Sequence, residues 1–298
     1  MRSLYLTPLA AAWFAVAVAP APAQPPGGAS RAKGPAVPPG TKVDTDLAYG
    51  DHDRQKLDLY RPKGDAPTPL VVWVHGGGWE AGSKSGGNPM LPLLARGYAV
   101  AAVNYRLSQH APFPAQIEDV KAAVRFLRAN AKAYDLDPDH FGAAGASAGG
   151  HLVALLGTSA GAKDLDGDGK YKDVSSAVQA VCDIFGPTDL VKLSPPGATN
   201  NPVTRLLGGT TGEKKALAAR ANPISFVDPK DPPFLILHGD KDTLVPVSQS
   251  ELFRAALQKA GVANDLIVVP GAGHGPGVFT KETAAKIEGF FDKYLKAK

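Results

Sequence analysis

Short stretches rich in branched and aromatic residues recur along the chain, each closed by Gly, Pro or a polar turn: LDLY at 57–60, LVVWVHG at 70–76, YAVAAVNY at 98–105, HFGAAG at 140–145, AVQAVCDIF at 177–185, FLILHG at 234–239 and NDLIVVPG at 264–271. These predict strands. Between them the period changes to that of helices. After Pro114, which suits a first helical turn, Ile117, Val120, Val124 and Leu127 fall on one face, with Glu118, Asp119, Lys121, Arg125 and Arg128 mostly off it. Leu252, Phe253, Ala256, Leu257 and Ala260 repeat the pattern, as do Ile287, Phe290, Phe291, Tyr294 and Leu295. LVVWV and FLILH are continuously apolar rather than alternating, which fits a mostly parallel sheet buried on both faces. Alternating strands and helices then give a doubly wound α/β fold, expected as one domain over 42–298.

The first 23 residues depart from this pattern. Arg2 precedes an almost wholly apolar run from Leu4 to Val18, and Ala21-Pro22-Ala23 supplies a small-x-small cleavage pattern. This predicts a secretory signal peptide over 1–23 and a secreted or periplasmic product. Pro8 and Pro20 shorten the apolar stretch below a membrane span, so no span is expected after cleavage. Residues 24–41 are rich in Pro, Gly and Ala, the composition of a flexible leader.

With 32 basic against 28 acidic side chains, the net charge of +4 is too mild for a nucleic-acid partner. The single cysteine, Cys182, excludes an internal disulfide and any multi-cysteine metal centre, and its apolar neighbours predict a buried thiol.

In a doubly wound sheet, ligands gather at the carboxyl ends of the strands. After HFGAAG comes Gly145-Ala146-Ser147-Ala148-Gly149-Gly150, followed by the helical run HLVALLG. A sharp strand-to-helix turn would lift Ser147 above the sheet, with glycines on both sides to let the backbone make it. After LVVWV comes His75-Gly76-Gly77-Gly78-Trp79, a pattern expected by chance on the order of 0.01 times in such a composition. Its peptide N–H groups can approach a substrate oxygen, so Gly77, Gly78 and Ala148 are the candidate oxyanion hole. His75 is expected to brace this loop, and Trp79 to line the pocket or pack beneath it. A nucleophilic serine needs a base and an orienting carboxylate, in the order Ser, Asp or Glu, His. His151 lies one helical turn from Ser147 and points away. His274, in Gly271-Ala272-Gly273-His274-Gly275, is the strongest base. In HGDKDTLVP, Asp242 lies further along the loop toward His274, whereas Asp240 is expected to cap its own turn.

At these residues the sequence resembles the α/β-hydrolase superfamily, and within it the secreted esterases similar to bacterial feruloyl and acetyl-xylan esterases, near the hormone-sensitive-lipase-like group. The resemblance runs from about Val43 to Leu295 through LDLYRP, HGGGW, NYRLS, GASAGGHL, FGPTDL, HGDKDTLVPVSQS and GAGHG. It implies Ser147, Asp242 and His274 as nucleophile, acid and base, no cofactor or metal, and a small-molecule or polysaccharide ester as substrate. Only some 45 residues precede the HGGGW strand after the leader's start, so no large helical cap is expected. The pocket walls are expected from loops between Ser194 and Val227. Two rival classes are a prolyl-oligopeptidase-type exopeptidase, which usually carries a propeller domain that this pattern lacks, and a non-catalytic binding protein of the same fold. Asp164-Leu165-Asp166-Gly167-Asp168-Gly169 is similar to a calcium loop but has Ser175 at the twelfth position in place of Glu, so a solvated acidic turn is expected.

Overall fold

A computed structural model describes residues 37–64 and 66–296; the expected signal peptide and most of the leader lie outside the described residues. Eight strands form one sheet: β1 (Lys42–Ala48), β2 (Lys56–Arg61), β3 (Thr68–Val74), β4 (Ala99–Val103), β5 (Leu136–Ala146), β6 (Ala180–Ile184), β7 (Phe234–Gly239) and β8 (Asn264–Val269), in the spatial order β1-β2-β4-β3-β5-β6-β7-β8. From β4 to β8 every pairing is parallel, whereas β1, β2 and β4 pair antiparallel. The parallel part is the region of continuous apolar runs. Leu70, Val71, Val72 and Val74 of β3 and all of β4 are fully buried, because helices cover both faces.

The helices are α1 (Ala115–Ala129), α2 (Ala148–Thr158), the short α3 (Leu190–Leu193), α4 (Pro202–Leu207) and α5 (Lys215–Arg220), then α6 (Ser248–Lys259) and α7 (Lys281–Leu295). One apolar layer joins α1, α2 and α6 to the sheet, and the other lies under α7 and a 3-10 turn at Leu91–Arg96. In α7, Ile287, Phe291 and Leu295 are buried, and Phe290 and Tyr294 pack beside them. Thr280 caps α7 by accepting from the Thr283 N–H at 3.1 Å, and Thr283 returns a bond to the Thr280 N–H.

One strand was not expected, and three expectations need correction. β1 has no apolar alternation to reveal it; it is a charged edge strand with a register shift between Asp44 and Leu47. β6 begins at Ala180 rather than 177, because Arg128 takes the carbonyls of Ser175 and Ala177 and holds that stretch off the sheet. Pro114 stands at the N-cap of α1 rather than inside it. On the same helix Asp119, Lys121 and Arg125 are buried rather than off the packed face. Each is partnered: Asp119 by Arg106 and Gln55, Lys121 by the Ser159 carbonyl and Asp166, and Arg125 by the Asp166 carbonyl. The acidic loop therefore lies over α1, and its carboxylates pair with cations: Asp164 with Arg220, Asp166 with Lys121 and Asp168 with Lys172.

Candidate active site

Ser147 sits between β5 and α2 with φ 56° and ψ −120°, a strained conformation that turns the chain sharply upward. Close packing enforces the turn. A Cβ on Gly145 would lie 2.3 Å from the Gly149 carbonyl oxygen, and one on Gly149 would lie 2.1 Å from that of Val74, so the turn and the end of β3 interlock only through bare backbone. The Ser147 N–H donates to the Ile184 carbonyl at 2.9 Å, tying the turn to β6 as well.

The structure brings the three residues expected from the sequence into one line. His274 Nε2 lies 2.8 Å from Ser147 Oγ, and His274 Nδ1 lies 2.6 Å from Asp242 Oδ2. The carboxylate of Asp242 is fully buried, and the His274 ring is slightly exposed. Oδ1 of Asp242 accepts from the N–H groups of Leu244 and Val245, each at 2.9 Å, so the loop after β7 fixes the carboxylate before His274 meets it. Phe185, at the end of β6, supports the His274 ring with centroids 4.7 Å apart. Asp240 differs from expectation: it accepts from the Gly271 N–H at 2.6 Å, anchoring the loop that carries His274 instead of capping its own turn.

The glycine strip after β3 lies beside Ser147. Gly77 and Gly78 have φ of 113° and 61°, and the Gly77 carbonyl accepts from the N–H groups of Glu80 and Ala81. Ala148 is the first residue of α2, where a peptide N–H has no partner within the helix. Gly77, Gly78 and Ala148 line one cavity together with Ser147 and His274. His75 braces this strip. Its Nδ1–H donates to the Gly76 carbonyl at 2.7 Å, its Nε2 accepts from Arg54 at 3.2 Å, and its ring stacks on Tyr105. Burial pulls its pKa down to about 4, so it stays neutral. His151 is likewise buried with a pKa pulled down to about 4, accepting from Trp79 Nε1 at 3.1 Å and donating to the Ala221 carbonyl at 2.7 Å. Trp79 borders the cavity while its indole N–H is spent on His151, so it offers a wall rather than a polar contact.

The cavity measures about 650 Å³ and is bordered by residues 76–80, Phe185, Pro187, 193–195, Ala198, 201–203, Leu244 and Val245. Among the described residues the one acidic or basic wall side chain, Glu80, is held by Arg205. The walls thus come from 187–203 and from Leu244 and Val245; of the expected span Ser194–Val227, the part up to Val203 lines the cavity and 204–227 does not. Asn201 and Pro202 start α4, whose Leu206 and Leu207 turn into the core and take the following chain away from the cavity. A second hollow of about 640 Å³ adjoins the first along Gly76, Gly77, Ala146 and Phe185. Among the described residues no three His, Cys, Asp or Glu side chains are grouped to hold a metal ion.

Sequence reasoning missed His238. It ends β7 fully buried, with Nδ1 2.7 Å from Ser250 Oγ and Nε2 2.8 Å from the Val245 carbonyl, and that same Nε2 stands 3.3 Å from Asp242 Oδ2. The available signal was a polar residue closing an otherwise apolar strand, two residues before the loop of Asp242.

This sheet, with a strained serine at the turn after its central strand and a histidine and carboxylate aligned on it, is that of an α/β-hydrolase. The chain belongs to the BD-FAE family, whose model matches residues 57–257. It is 34% identical over 229 residues to the esterase LipQ of Mycobacterium tuberculosis, covering 74% of this chain and 53% of LipQ; the chain thus spans about half the length of that relative. Among solved structures, a truncated carbohydrate esterase from gut microbiota superposes with a TM-score of 0.82 at 37% identity, covering 88% of this chain and 99% of that one. An acetyl ester-xyloside bifunctional hydrolase from Caldicellulosiruptor lactoaceticus superposes with a TM-score of 0.70 at 28% identity, covering 80% and 88%.

Proposed function

We propose that the protein is a secreted or periplasmic serine esterase that cleaves acetyl or feruloyl esters of plant-type polysaccharide, or small esters of the same kind. The observation that carries this reading is the continuous line from Ser147 Oγ through His274 to the buried Asp242, at 2.8 and 2.6 Å. Ser147 attacks the ester carbonyl while His274 Nε2 takes its proton. Asp242 holds the Nδ1–H tautomer and stabilises the imidazolium. The N–H groups of Gly77, Gly78 and Ala148 receive the oxyanion, each such donor contributing about 10²–10³ in rate. His274 then protonates the departing alcohol, and water, activated by the same imidazole, releases the acid from Ser147.

The cavity over Ser147 and the hollow beside it give both arms of an ester room, and their walls favour uncharged groups. The carbohydrate esterase and the acetyl ester-xyloside hydrolase that this chain resembles support a sugar ester as substrate. Residues 1–23 would export the enzyme and 24–41 would form a flexible leader, leaving 42–298 as the catalytic domain. A rate panel of p-nitrophenyl acetate, butyrate and decanoate, methyl ferulate and acetylated xylan tests the proposal. Turnover of the acetyl and feruloyl substrates is expected. Cleavage confined to the decanoate would overturn the polysaccharide reading, and turnover of peptides in place of esters would overturn the esterase.

A further inference from the structure

We infer that His238, held by Ser250, is a positioning residue that sets the basicity of His274 from behind Asp242. The inference rests on the proposed roles of Ser147, Asp242 and His274.

The geometry is a near-mirror across one carboxylate. On the open side, Ser147 Oγ meets His274, which meets Asp242 Oδ2; on the buried side, Ser250 Oγ meets His238 Nδ1 at 2.7 Å, and His238 Nε2 approaches the same Oδ2 at 3.3 Å. The tautomer follows from the partners. A carbonyl only accepts, so the 2.8 Å contact with Val245 O requires a hydrogen on His238 Nε2, and in the neutral ring Nδ1 then accepts the Ser250 hydroxyl hydrogen. Burial, the largest influence on this ring, holds its pKa below the ordinary value, so the neutral form is the resident one.

His238 consequently acts on Asp242 by two routes. It fixes residue Val245, whose carbonyl it binds and whose N–H donates to Asp242 Oδ1. It also points the positive end of its N–H dipole toward Oδ2 and so offsets part of the charge that His274 feels. The groups around the pair come from four elements. The loop after β7 presents Asp242, the loop after β8 presents His274, α6 presents Ser250, and β6 ends in the Phe185 ring, 6.4 Å from His238. Lys241 and Asp240 face solvent 3.9 Å from each other.

Without the His238 N–H, Asp242 pulls harder on the imidazolium and stabilises it. The acid limb of kcat/KM, which follows neutral His274, then moves to higher pH. His238→Leu is expected to shift that limb upward by about half a unit to one unit. His238→Gln, whose amide returns a donor near the Nε2 position, should restore it to within about 0.2 units. Ser250→Ala, which removes the hydroxyl donation that polarises the His238 ring and strengthens its Nε2–H without opening a large void, should shift it in the same direction by a smaller amount. Titration of the His274 ring by NMR in the resting protein reads the same change without turnover and separates the two claims. A wild-type protein inactive on every ester would overturn the esterase reading. A limb and a ring titration unchanged in both His238→Leu and Ser250→Ala, with kcat alone reduced, would overturn this inference and leave His238 a packing residue. Should His238→Leu fail to fold, Ser250→Ala decides.

Discussion

The loops that carry Ser147, His274 and the glycine strip differ in kind from the segment 187–203 that walls the cavity. In the first, backbone meets backbone: at Gly145 and Gly149 an added methyl would lie 2.3 and 2.1 Å from a carbonyl oxygen. In the second, apolar side chains such as Leu193, Pro195, Ala198 and Val203 form a surface that many residues of similar size could form. On the proposed function, the chemistry would be built from positions with almost no permitted alternatives, and the selectivity from positions with many. Substitutions should divide accordingly.

The largest effect is expected at the carboxylate. Asp242→Asn keeps the shape of the loop but favours the wrong His274 tautomer, and kcat should fall about 10⁴-fold with little change in KM. A loss under tenfold, measured on p-nitrophenyl acetate, would place the acid elsewhere. Next comes Gly77→Ala, where the methyl would stand 2.4 Å from the Ala81 carbonyl oxygen at a φ of 113°. Displacing this N–H should reduce kcat about 10²-fold in the fraction that stays folded, and the clash should also lower the melting temperature; equal kinetics would remove Gly77 from the oxyanion hole.

The backbone-locked region also holds buried titrating groups. Asp183, beneath Gly150 and Gly186, is pushed up to about 7 by burial, against an ordinary carboxylate value near 4. The folded state therefore keeps a proton that the unfolded chain gives up, and stability falls as pH rises from about 4 to about 7. Asp183→Asn should raise the melting temperature by several degrees at pH 8, on the order of 2 kcal/mol, and by little at pH 4. An equal offset at both pH values would show that the carboxyl does not titrate in this range. His75 and His151, at about 4, work in the opposite sense: the unfolded chain takes up protons below about 6.5 that they refuse, so their contribution is lost as pH falls from about 6.5 to about 4.

The smallest effect belongs to the wall. Leu244 is 69% exposed at the cavity edge, and Leu244→Ala should change KM by no more than about threefold, with kcat on the acetyl ester kept. A hundredfold loss of kcat would erase the distinction between the two regions.

The same distinction explains what the sequence could tell. GASAG and HGGGW were legible because only glycine permits those close approaches, and a pattern with one physical cause can be read backwards. The parallel strands were legible because burial on both faces leaves a continuous apolar run. β1 was not, since an edge strand keeps solvent on one side and here alternates nothing apolar. Asp119, Lys121 and Arg125 looked solvated on a helical wheel, because the wheel carries no trace of Gln55 and Arg106, which meet Asp119, or of the loop at 159–176, which brings the partners of Lys121 and Arg125. His238 stayed hidden for a similar reason: its partners Val245 and Ser250 are set by how α6 packs, and no spacing rule encodes that. The expected cavity wall runs past its true end at Val203, because the turn of α4 into the core depends on Leu206 and Leu207 finding space there.

The central claim, that the strained Ser147 is a nucleophile activated by His274, is tested most directly by intact-mass analysis after exposure to a fluorophosphonate. One adduct is expected on the wild-type protein, mapped to Ser147, with no adduct on Ser147→Ala and strongly slowed labelling of His274→Ala. Equal labelling of Ser147→Ala, or none of an otherwise folded wild-type protein, would contradict it.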